Sequence, residues 1–196
     1  MLSATRRVVE GVWLGRAGQG AVLASYILAE AAVLEGKPAI GMPEFGAERR
    51  GAPVRAFNRI VARPLPGDAN ILPRTPISLA DFLVVMDPHL VSARHLVPSL
   101  REGAVVVVNT SRTPQETSRL LGVEGVRVFV VNATEMALRH VGRAVVNTTL
   151  LGSLAKATEV VGLESLKLAL ARRFGGPLLE KNTRALEAGY REVEGA

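Results

Sequence analysis

The chain has 196 residues, 48% of them hydrophobic, which is enough to bury the core of one sizeable domain. Its net charge of +6 comes mostly from arginines spread along the whole chain, and only 4% of residues are aromatic, so a clustered nucleic-acid surface is disfavoured. With no cysteine and only three histidines the chain offers no predicted metal site. Without a bilayer-length apolar stretch or a signal peptide, we expect it in the cytoplasm and off the membrane.

The first part of the chain alternates apolar runs with glycine- and proline-rich breaks. An apolar strand is predicted in "RVVEGVWLG", followed by a helix from Gln19 to Glu35 with apolar residues at helical spacing. A short strand follows in "EGKPAIGMP" and another in "VRAFNRIVA", separated by the glycine- and arginine-rich loop "EFGAERRGAP". The stretch "RPLPGDANILPRTP" contains four prolines and is predicted to be a connection.

Three near-continuous apolar runs mark the second part: "DFLVVM", "AVVVVN" and "RVFVVN". Such runs are typical of strands that are covered on both faces. Helical patterns follow Asp87, Asn132 and Gly142, and the last helices begin near Leu163 and Pro177. Strands that alternate with helices predict one α/β domain over residues 1–196, a Rossmann-like fold with a mostly parallel open sheet flanked by helices.

Glycine or a polar residue stands where each of four predicted strands ends: Gly15, Asp87, Asn109 and Asn132. In an open parallel sheet these ends gather at one edge, where ligands bind. The glycine loop there would offer backbone N–H groups and a helix N-terminus to a phosphate or carboxylate. Helix capping alone would equally explain Asp87 and Asn132, and we favour that role for them.

The loop "GRAGQG" does not match the common nucleotide-binding patterns. Its glycines, Gly15, Gly18 and Gly20, spell G-x-x-G-x-G, whereas the dinucleotide fingerprint is G-x-G-x-x-G. No acidic residue is placed at the end of the second strand to hold a ribose, and the sequence has no Gly-Lys-Ser/Thr for a nucleoside triphosphate loop. Free-standing NAD or ATP binding is therefore disfavoured. The side chains of Arg16 and Gln19 are long enough to reach across an interface. A stand-alone α/β domain that binds a nucleotide or coenzyme A phosphate at this loop remains the alternative hypothesis.

Two motifs together make the sequence recognisable. The loop residues Gly15, Arg16, Gly18, Gln19 and Gly20, and the later motif "PEFGAERRGAPV", resemble the gamma subunit of the pyruvate and 2-oxoacid:ferredoxin oxidoreductases. Ala17 departs from the usual glycine, which indicates a negative φ at that position. Further segments are similar to the family along nearly the whole chain: "NATEMA", "VVNTTLLGSL" and "KNTRALEAGY". The related indolepyruvate enzymes carry a different second motif.

The resemblance implies a division of labour between subunits. Such enzymes decarboxylate a 2-oxoacid on thiamine diphosphate, pass electrons through iron–sulfur clusters to ferredoxin, and release acyl-CoA and CO₂. Thiamine diphosphate and the clusters are held mainly by the other subunits, so this chain is not expected to be active alone. Its implied partners are alpha and beta subunits, a ferredoxin-like delta subunit in some complexes, and ferredoxin. Pyruvate, branched-chain and 2-oxoglutarate versions all stay open.

The second motif contributes the candidate residues Phe45, Glu48, Arg49 and Arg50. The two guanidinium groups suit acidic groups on a neighbouring subunit or a phosphate of coenzyme A, which enters as a substrate. Alternatively they pair with Glu44 and Glu48 and stiffen the loop. An interface role is favoured over internal pairing, and internal pairing over direct contact with coenzyme A.

The remaining polar candidates are assigned to support of the scaffold. Asn147 and Asn182 lie on apolar helix faces, and like Asn132 each is expected to anchor a backbone segment by hydrogen bonds. The three histidines, His89, His95 and His140, have no serine or cysteine partner at a recognisable spacing, so no catalytic residue is assigned. The isolated chain is expected to self-associate, because a surface intended for other subunits would be left uncovered.

Overall fold

The computed structural model describes residues 7–44, 53–64, 72–93 and 96–195. One seven-stranded sheet runs through this part of the chain. Its strands are β1 (Val8–Arg16), β2 (Ala39–Pro43), β3 (Pro53–Val61), β4 (Leu79–Val85), β5 (Ser99–Asn109), β6 (Arg127–Val131) and β7 (Glu194–Gly195). The helices are α1 (Ala21–Leu34), α2 (Pro114–Leu121), α3 (Ala133–His140), α4 (Asn147–Thr158), α5 (Leu163–Ala171) and α6 (Gly176–Glu192).

The sheet is mixed, with a parallel centre. Its strand order is β2-β3-β1-β4-β5-β6-β7. Strand β1 pairs in parallel with β4, β4 with β5 and β5 with β6, whereas β3 and β7 run antiparallel to their neighbours. The α/β prediction is therefore confirmed, with the parallel pairing confined to the four central strands.

Helices cover the two faces of the sheet unequally. The larger core cluster joins one face of the sheet to α1, α3, α4, α5 and α6. The smaller cluster on the other face is covered by Leu121 of α2 and by apolar residues of the connections, including Ile77, Leu90 and Val91. Alternate residues of β4 and β5 enter the two clusters, and this explains why both strands read as continuous apolar runs.

Three elements differ from the sequence prediction. Asp87 is followed by one turn of 3₁₀-helix, Pro88–Leu90, and not by a full helix. Leu90 and Val91 are buried against the sheet, so the chain covers this face without needing a long amphipathic helix. Helix α2 was not predicted because its sequence is mostly polar, and β7 was missed because two residues carry no pattern.

Helices α4 and α6 cross in very close contact. A Cβ atom on Gly152 would lie 2.0 Å from the carbonyl oxygen of Leu186, and one on Gly189 would lie 2.0 Å from that of Thr149. The hydroxyl of Ser153 also donates to the carbonyl oxygen of Gly189 at 2.9 Å. Glycine at both positions thus allows the two backbones to touch, and this fixes where α4 begins relative to the sheet.

A buried amide joins β1, β2, β3 and α1. Asn58 on β3 is fully buried, and its Oδ1 accepts a hydrogen bond from the indole N–H of Trp13 at 2.8 Å. Its Nδ2 donates to the carbonyl oxygens of Ser25 at 2.8 Å and Ile40 at 3.2 Å. Asn58 thereby links the backbone of α1 to β1, β2 and β3 and holds α1 in register on the sheet.

Glu35, just after α1, ties that helix to the start of α5. Its carboxylate accepts hydrogen bonds from the Gly162 N–H at 2.6 Å and from the Lys37 ammonium at 2.7 Å. Burial raises the pKa of Glu35, but the bonds from Lys37, Gly162 and Ser165 together outweigh it, so the pKa lies below its ordinary value.

Replacing Glu35 with glutamine is expected to lower the free energy of unfolding at neutral pH by about 1 kcal/mol. The loss is small because solvent screens the partly exposed ion pair between Glu35 and Lys37. A carboxyl group whose pKa is lowered by folding stabilises the protein above its unfolded pKa of about 4.3, and this contribution is lost as the pH falls further. Urea unfolding at about pH 7 and about pH 3 should show the difference between the two proteins narrowing at the lower pH. An equal difference at both values would contradict the assigned role.

Candidate functional site

The carboxyl ends of β1, β4, β5 and β6 meet at one edge of the sheet, as their parallel pairing requires. The strand-end residues Arg16, Asp87, Asn109 and Asn132 all lie along this edge. After β1 the chain passes through α1 to β2, which lies on one side of β1 in the sheet. After β4, the neighbour on the other side of β1, the chain continues away from β1 to β5. The carboxyl ends of the neighbouring strands β1 and β4 therefore form the topological switch point at which open α/β sheets bind ligands.

The glycine loop between β1 and α1 is held by its own hydrogen bonds. The Arg16 N–H donates to Oε1 of Gln19 at 2.8 Å, and the Gln19 N–H donates to the Arg16 carbonyl oxygen at 3.1 Å. Gly18 and Gly20 have φ values of +93° and +85°, which favour glycine, whereas Ala17 is not among the positive-φ residues of the described chain. Its departure from the family loop is thus accommodated as predicted. The Gln19 side chain folds back on the loop.

An ion pair spans the switch point. The Arg16 Nε donates to Oδ2 of Asp87 at 2.6 Å, and Oδ1 of Asp87 accepts from the His89 N–H at 2.9 Å. Asp87 therefore caps the 3₁₀ turn, as the sequence favoured, and also holds Arg16. The Arg16 side chain remains 39% exposed, so its guanidinium still borders the loop surface.

The two asparagines at the ends of β5 and β6 organise the neighbouring loops. Asn109 is buried and donates from Nδ2 to the Met86 carbonyl oxygen at 2.8 Å and to the Thr134 hydroxyl at 2.9 Å. Asn132 accepts from the Glu135 N–H at 3.3 Å and thereby caps α3. Glu135 in turn accepts from Nδ2 of Asn132 at 2.9 Å, so the N-terminus of α3 already has a carboxylate beside it.

The N-terminus of α4 lies against that of α1. A Cβ atom on Gly20, the N-cap residue of α1, would lie 2.7 Å from Nδ2 of Asn147, the first residue of α4. Neither helix has a side-chain cap or an acidic residue in its first turn. Two positive helix ends thus lie together with no acidic residue in the first turn of either helix, an arrangement that favours an anion.

Asn147 is oriented by a short polar chain. It is 3% exposed, and its Oδ1 accepts from the Thr148 N–H at 2.9 Å. The Thr148 hydroxyl donates to Oδ1 of Asn182 at 2.8 Å, and Nδ2 of Asn182 donates to the Leu178 carbonyl oxygen at 2.9 Å. Nδ2 of Asn147 donates to no acceptor within the described ranges. It is therefore a donor available beside the glycine loop.

Three clefts border this edge. One of about 470 Å³ lies over the glycine loop and is lined by Arg16, Gly18, Gly20, Leu23, Tyr26 and Val54 among others. A more polar cleft of about 350 Å³ lies between the ends of β4, β5 and β6, where His89, Asn109, Thr110 and Arg112 meet. The third, of about 470 Å³, lies between β6 and the end of α6.

Phe45, Glu48, Arg49 and Arg50 lie outside the described residues, as does His95, so their predicted roles stay predictions. Glu44 forms a bidentate ion pair with Arg55 on β3. His140 is the last residue of α3. No group of metal ligands and no helix suited to spanning a membrane occurs within residues 7–44, 53–64, 72–93 and 96–195.

Comparisons with known proteins bear on the site. The family model described as pyruvate ferredoxin/flavodoxin oxidoreductase matches residues 10–192. The chain belongs to this family. It is 42% identical over 187 residues to the pyruvate/ketoisovalerate oxidoreductases common subunit gamma of Pyrococcus furiosus, covering 95% of this chain and 98% of that protein.

Solved structures of family members agree with the fold. A crystal structure of the pyruvate oxidoreductase subunit PORC from Thermotoga maritima has a TM-score of 0.83 and 38% identity, covering 97% of this chain and 99% of that one. A keto/oxoacid ferredoxin oxidoreductase gamma subunit from Geobacter sulfurreducens has a TM-score of 0.72 and 26% identity, covering 94% and 95%. The chain is thus a gamma-type subunit of a multi-subunit 2-oxoacid oxidoreductase.

Sequence reasoning identified the loop and Asn147 separately but did not place them together. The signal was present in part, because the segment "VVNTT" begins a helix with no acidic residue in its first turn. The sequence does not reveal that α4 and α6 cross, and this crossing places the start of α4 beside Gly20. The polar residues Thr110 and Arg112 beyond β5 were likewise not singled out as cleft residues.

Proposed function

We propose that this gamma subunit serves a complex whose other subunits hold thiamine diphosphate and the iron–sulfur clusters, and that it binds a phosphate group of coenzyme A beside the glycine loop. The sequence contains no cysteine, so the cluster ligands must come from other chains. Thiamine diphosphate and the clusters supply the decarboxylation and electron transfer, whereas this chain binds and orients the acyl acceptor. The supporting observation is the convergence of two uncapped helix ends at Gly20 and Asn147.

The chemistry of this corner suits a phosphate oxygen. The first backbone N–H groups of α1 have no partner within the helix, and each helix end favours a nearby anion by about 0.3–1 kcal/mol. Nδ2 of Asn147 adds a side-chain donor beside Gly20, and Arg16 lines the cleft over the glycine loop. Asp87 partly neutralises Arg16, so the backbone donors and Asn147 carry most of the expected attraction.

The composition of the complex is tested by anaerobic purification of the tagged chain from its own cells. Mass spectrometry should find partner subunits with thiamine- and cluster-binding sequences, and the preparation should reduce viologen when given a 2-oxoacid and coenzyme A. The preferred 2-oxoacid then defines the substrate. A chain that purifies alone and inactive would contradict the complex and favour an independent phosphate-binding domain.

The phosphate site is tested by Asn147→Asp in the assembled enzyme. Aspartate keeps the acceptor for the Thr148 N–H and places a carboxylate at two helix ends, so the fold should remain stable or gain stability. The same carboxylate should repel a phosphate, and we expect the KM for coenzyme A to rise about ten-fold, equivalent to about 1.4 kcal/mol. The variant should therefore have a higher KM for coenzyme A while its Tm stays the same or rises.

Gln115→Glu is the control for this experiment, because it adds the same charge on an exposed position of α2. Its KM for coenzyme A should equal that of the unmodified complex. An unchanged KM in a stable Asn147→Asp complex would contradict the phosphate site without contradicting membership of the complex.

A further inference from the structure

A second cleft at the carboxyl edge of the sheet has a basic lining that the glycine loop does not use. This strand-end cleft, of about 350 Å³, lies between the ends of β4, β5 and β6. Its lining includes His89, Thr110, Ser111, Arg112 and Thr134, and within the described part of the chain it includes no acidic side chain. A cleft lined by basic side chains and hydroxyl groups without a carboxylate favours an anionic ligand.

The guanidinium group of Arg112 is the main positive charge of this lining. Its backbone N–H donates to the Thr110 hydroxyl at 3.2 Å, whereas its side chain makes no hydrogen bond or ion pair with the residues that the structure describes. Bonds from the Thr113 N–H and hydroxyl hold the Glu116 carboxylate and lower its pKa, and the charge of Arg112 contributes less. Glu116 therefore caps α2, and the five N–H donors of Arg112 stay available to a ligand.

The wall of the strand-end cleft is built on a buried amide. Asn109 is 2% exposed, and its Nδ2 donates to the Met86 carbonyl oxygen at 2.8 Å and to the Thr134 hydroxyl at 2.9 Å. The Thr134 N–H donates in return to Oδ1 of Asn109 at 3.2 Å. Since the hydroxyls of Thr134 and Thr110 each accept a bond from the protein, their own protons are available to an oxygen atom in the cleft.

Asp87 joins the strand-end cleft to the glycine loop. One of its carboxylate oxygens accepts from the Arg16 Nε at 2.6 Å, and the other accepts from the His89 N–H at 2.9 Å. Neighbouring strands lie about 4.8 Å apart, so a cleft centred on the end of β5 is about 10 Å from the end of β1. Two places that favour an anion thus lie side by side along one edge, within reach of a single ligand with two phosphate groups.

We propose that the strand-end cleft binds a phosphate monoester, the 3′-phosphate of coenzyme A, while the glycine loop binds the 5′-diphosphate of the same molecule. The inference rests on the proposed function, because it needs coenzyme A at the glycine loop. A phosphate monoester carries nearly two negative charges at neutral pH and has three acceptor oxygens. These match the Arg112 guanidinium, the His89 imidazole and the hydroxyls of the lining. Both phosphate groups are attached to one ribose, so one molecule can occupy both places.

The test compares coenzyme A with dephospho-coenzyme A in the assembled enzyme, because the two thiols have the same reactive end and differ only in the 3′-phosphate. Arg112→Gln should raise the KM for coenzyme A about ten-fold and leave the KM for dephospho-coenzyme A unchanged. Arg119→Gln is the matched control, since it removes the same charge from an exposed position of α2. Both of its KM values should equal those of the unmodified complex.

An Arg112→Gln complex with an unchanged KM for coenzyme A, or with equal increases for both thiols, would overturn the proposal. Inorganic phosphate distinguishes the other source of such a group. If it altered the activity with both thiols alike and Arg112→Gln removed that effect, the cleft would bind free phosphate and the coenzyme assignment would be wrong. Asn147→Asp should raise both KM values equally, so that failure of Arg112→Gln alone leaves the proposed function standing.

Discussion

Replacing Gly189 with alanine is expected to force α4 and α6 apart and to lower the free energy of unfolding by about 3 kcal/mol. The new Cβ atom would lie 2.0 Å from the carbonyl oxygen of Thr149, which belongs to a helix backbone and has little freedom to move. Alanine gains about 1 kcal/mol in helix propensity over glycine, so the clash must outweigh a favourable term. Gly152→Ala should behave in the same way, because its Cβ would meet the Leu186 carbonyl oxygen.

Thermal and urea unfolding of the two variants measure this effect. Gly175→Ala is the matched control, since a Cβ atom at Gly175 meets no atom within 4 Å and its φ of −132° suits any residue. Gly175 is the N-cap of α6, where alanine is less favourable than glycine, so this variant should lose at most about 1 kcal/mol. If Gly189→Ala were as stable as the control, the close crossing of α4 and α6 would be wrong.

Asn58→Ala is expected to cost about 4 kcal/mol. The substitution leaves the buried Trp13 indole N–H without its acceptor, at about 1–3 kcal/mol, and also removes the hydrogen bonds from Nδ2 of Asn58 to the carbonyl oxygens of Ser25 and Ile40. It also opens a cavity between the sheet and α1. The effect should appear as destabilisation of the whole domain, because the amide joins β1, β2, β3 and α1.

A double-mutant cycle with Trp13→Phe tests this assignment. Phenylalanine removes the indole donor, so the two changes share one hydrogen bond, and their effects on the free energy of unfolding should fall short of additivity by about 1 kcal/mol. Unfolding is followed by far-UV circular dichroism, since Trp13 is the one tryptophan of the sequence. Strict additivity would show that Asn58 and Trp13 do not interact.

The sequence predicted the parallel centre of the sheet but not its edges. The apolar runs of β4, β5 and β6 identify strands covered on both faces, and this covering accompanies parallel pairing. The direction of β3 is not encoded in its pattern, because its alternation is compatible with either neighbour orientation. Asn58 illustrates the same limit, since a polar residue in a strand reveals burial only once its partners on α1 and β2 are in place.

The candidate site was predictable where it depends on strand ends and not where it depends on helix packing. Asp87, Asn109 and Asn132 follow apolar runs, so their shared edge could be deduced from the sequence. The ion pair from Arg16 to Asp87 joins residues far apart in sequence and depends on β1 lying beside β4. The contact of Asn147 with Gly20 depends further on α4 and α6, whose crossing no local pattern contains.

The central position of β1 also determines how the site would be lost. This strand is hydrogen-bonded on both sides, to β3 and to β4, and it leads directly into the glycine loop. Amide protons of such a strand exchange with solvent only when the whole domain opens. The end of the loop that is attached to β1 therefore cannot unfold before the rest of the domain does. Heat inactivation of the assembled enzyme at this site should coincide with global denaturation of the subunit.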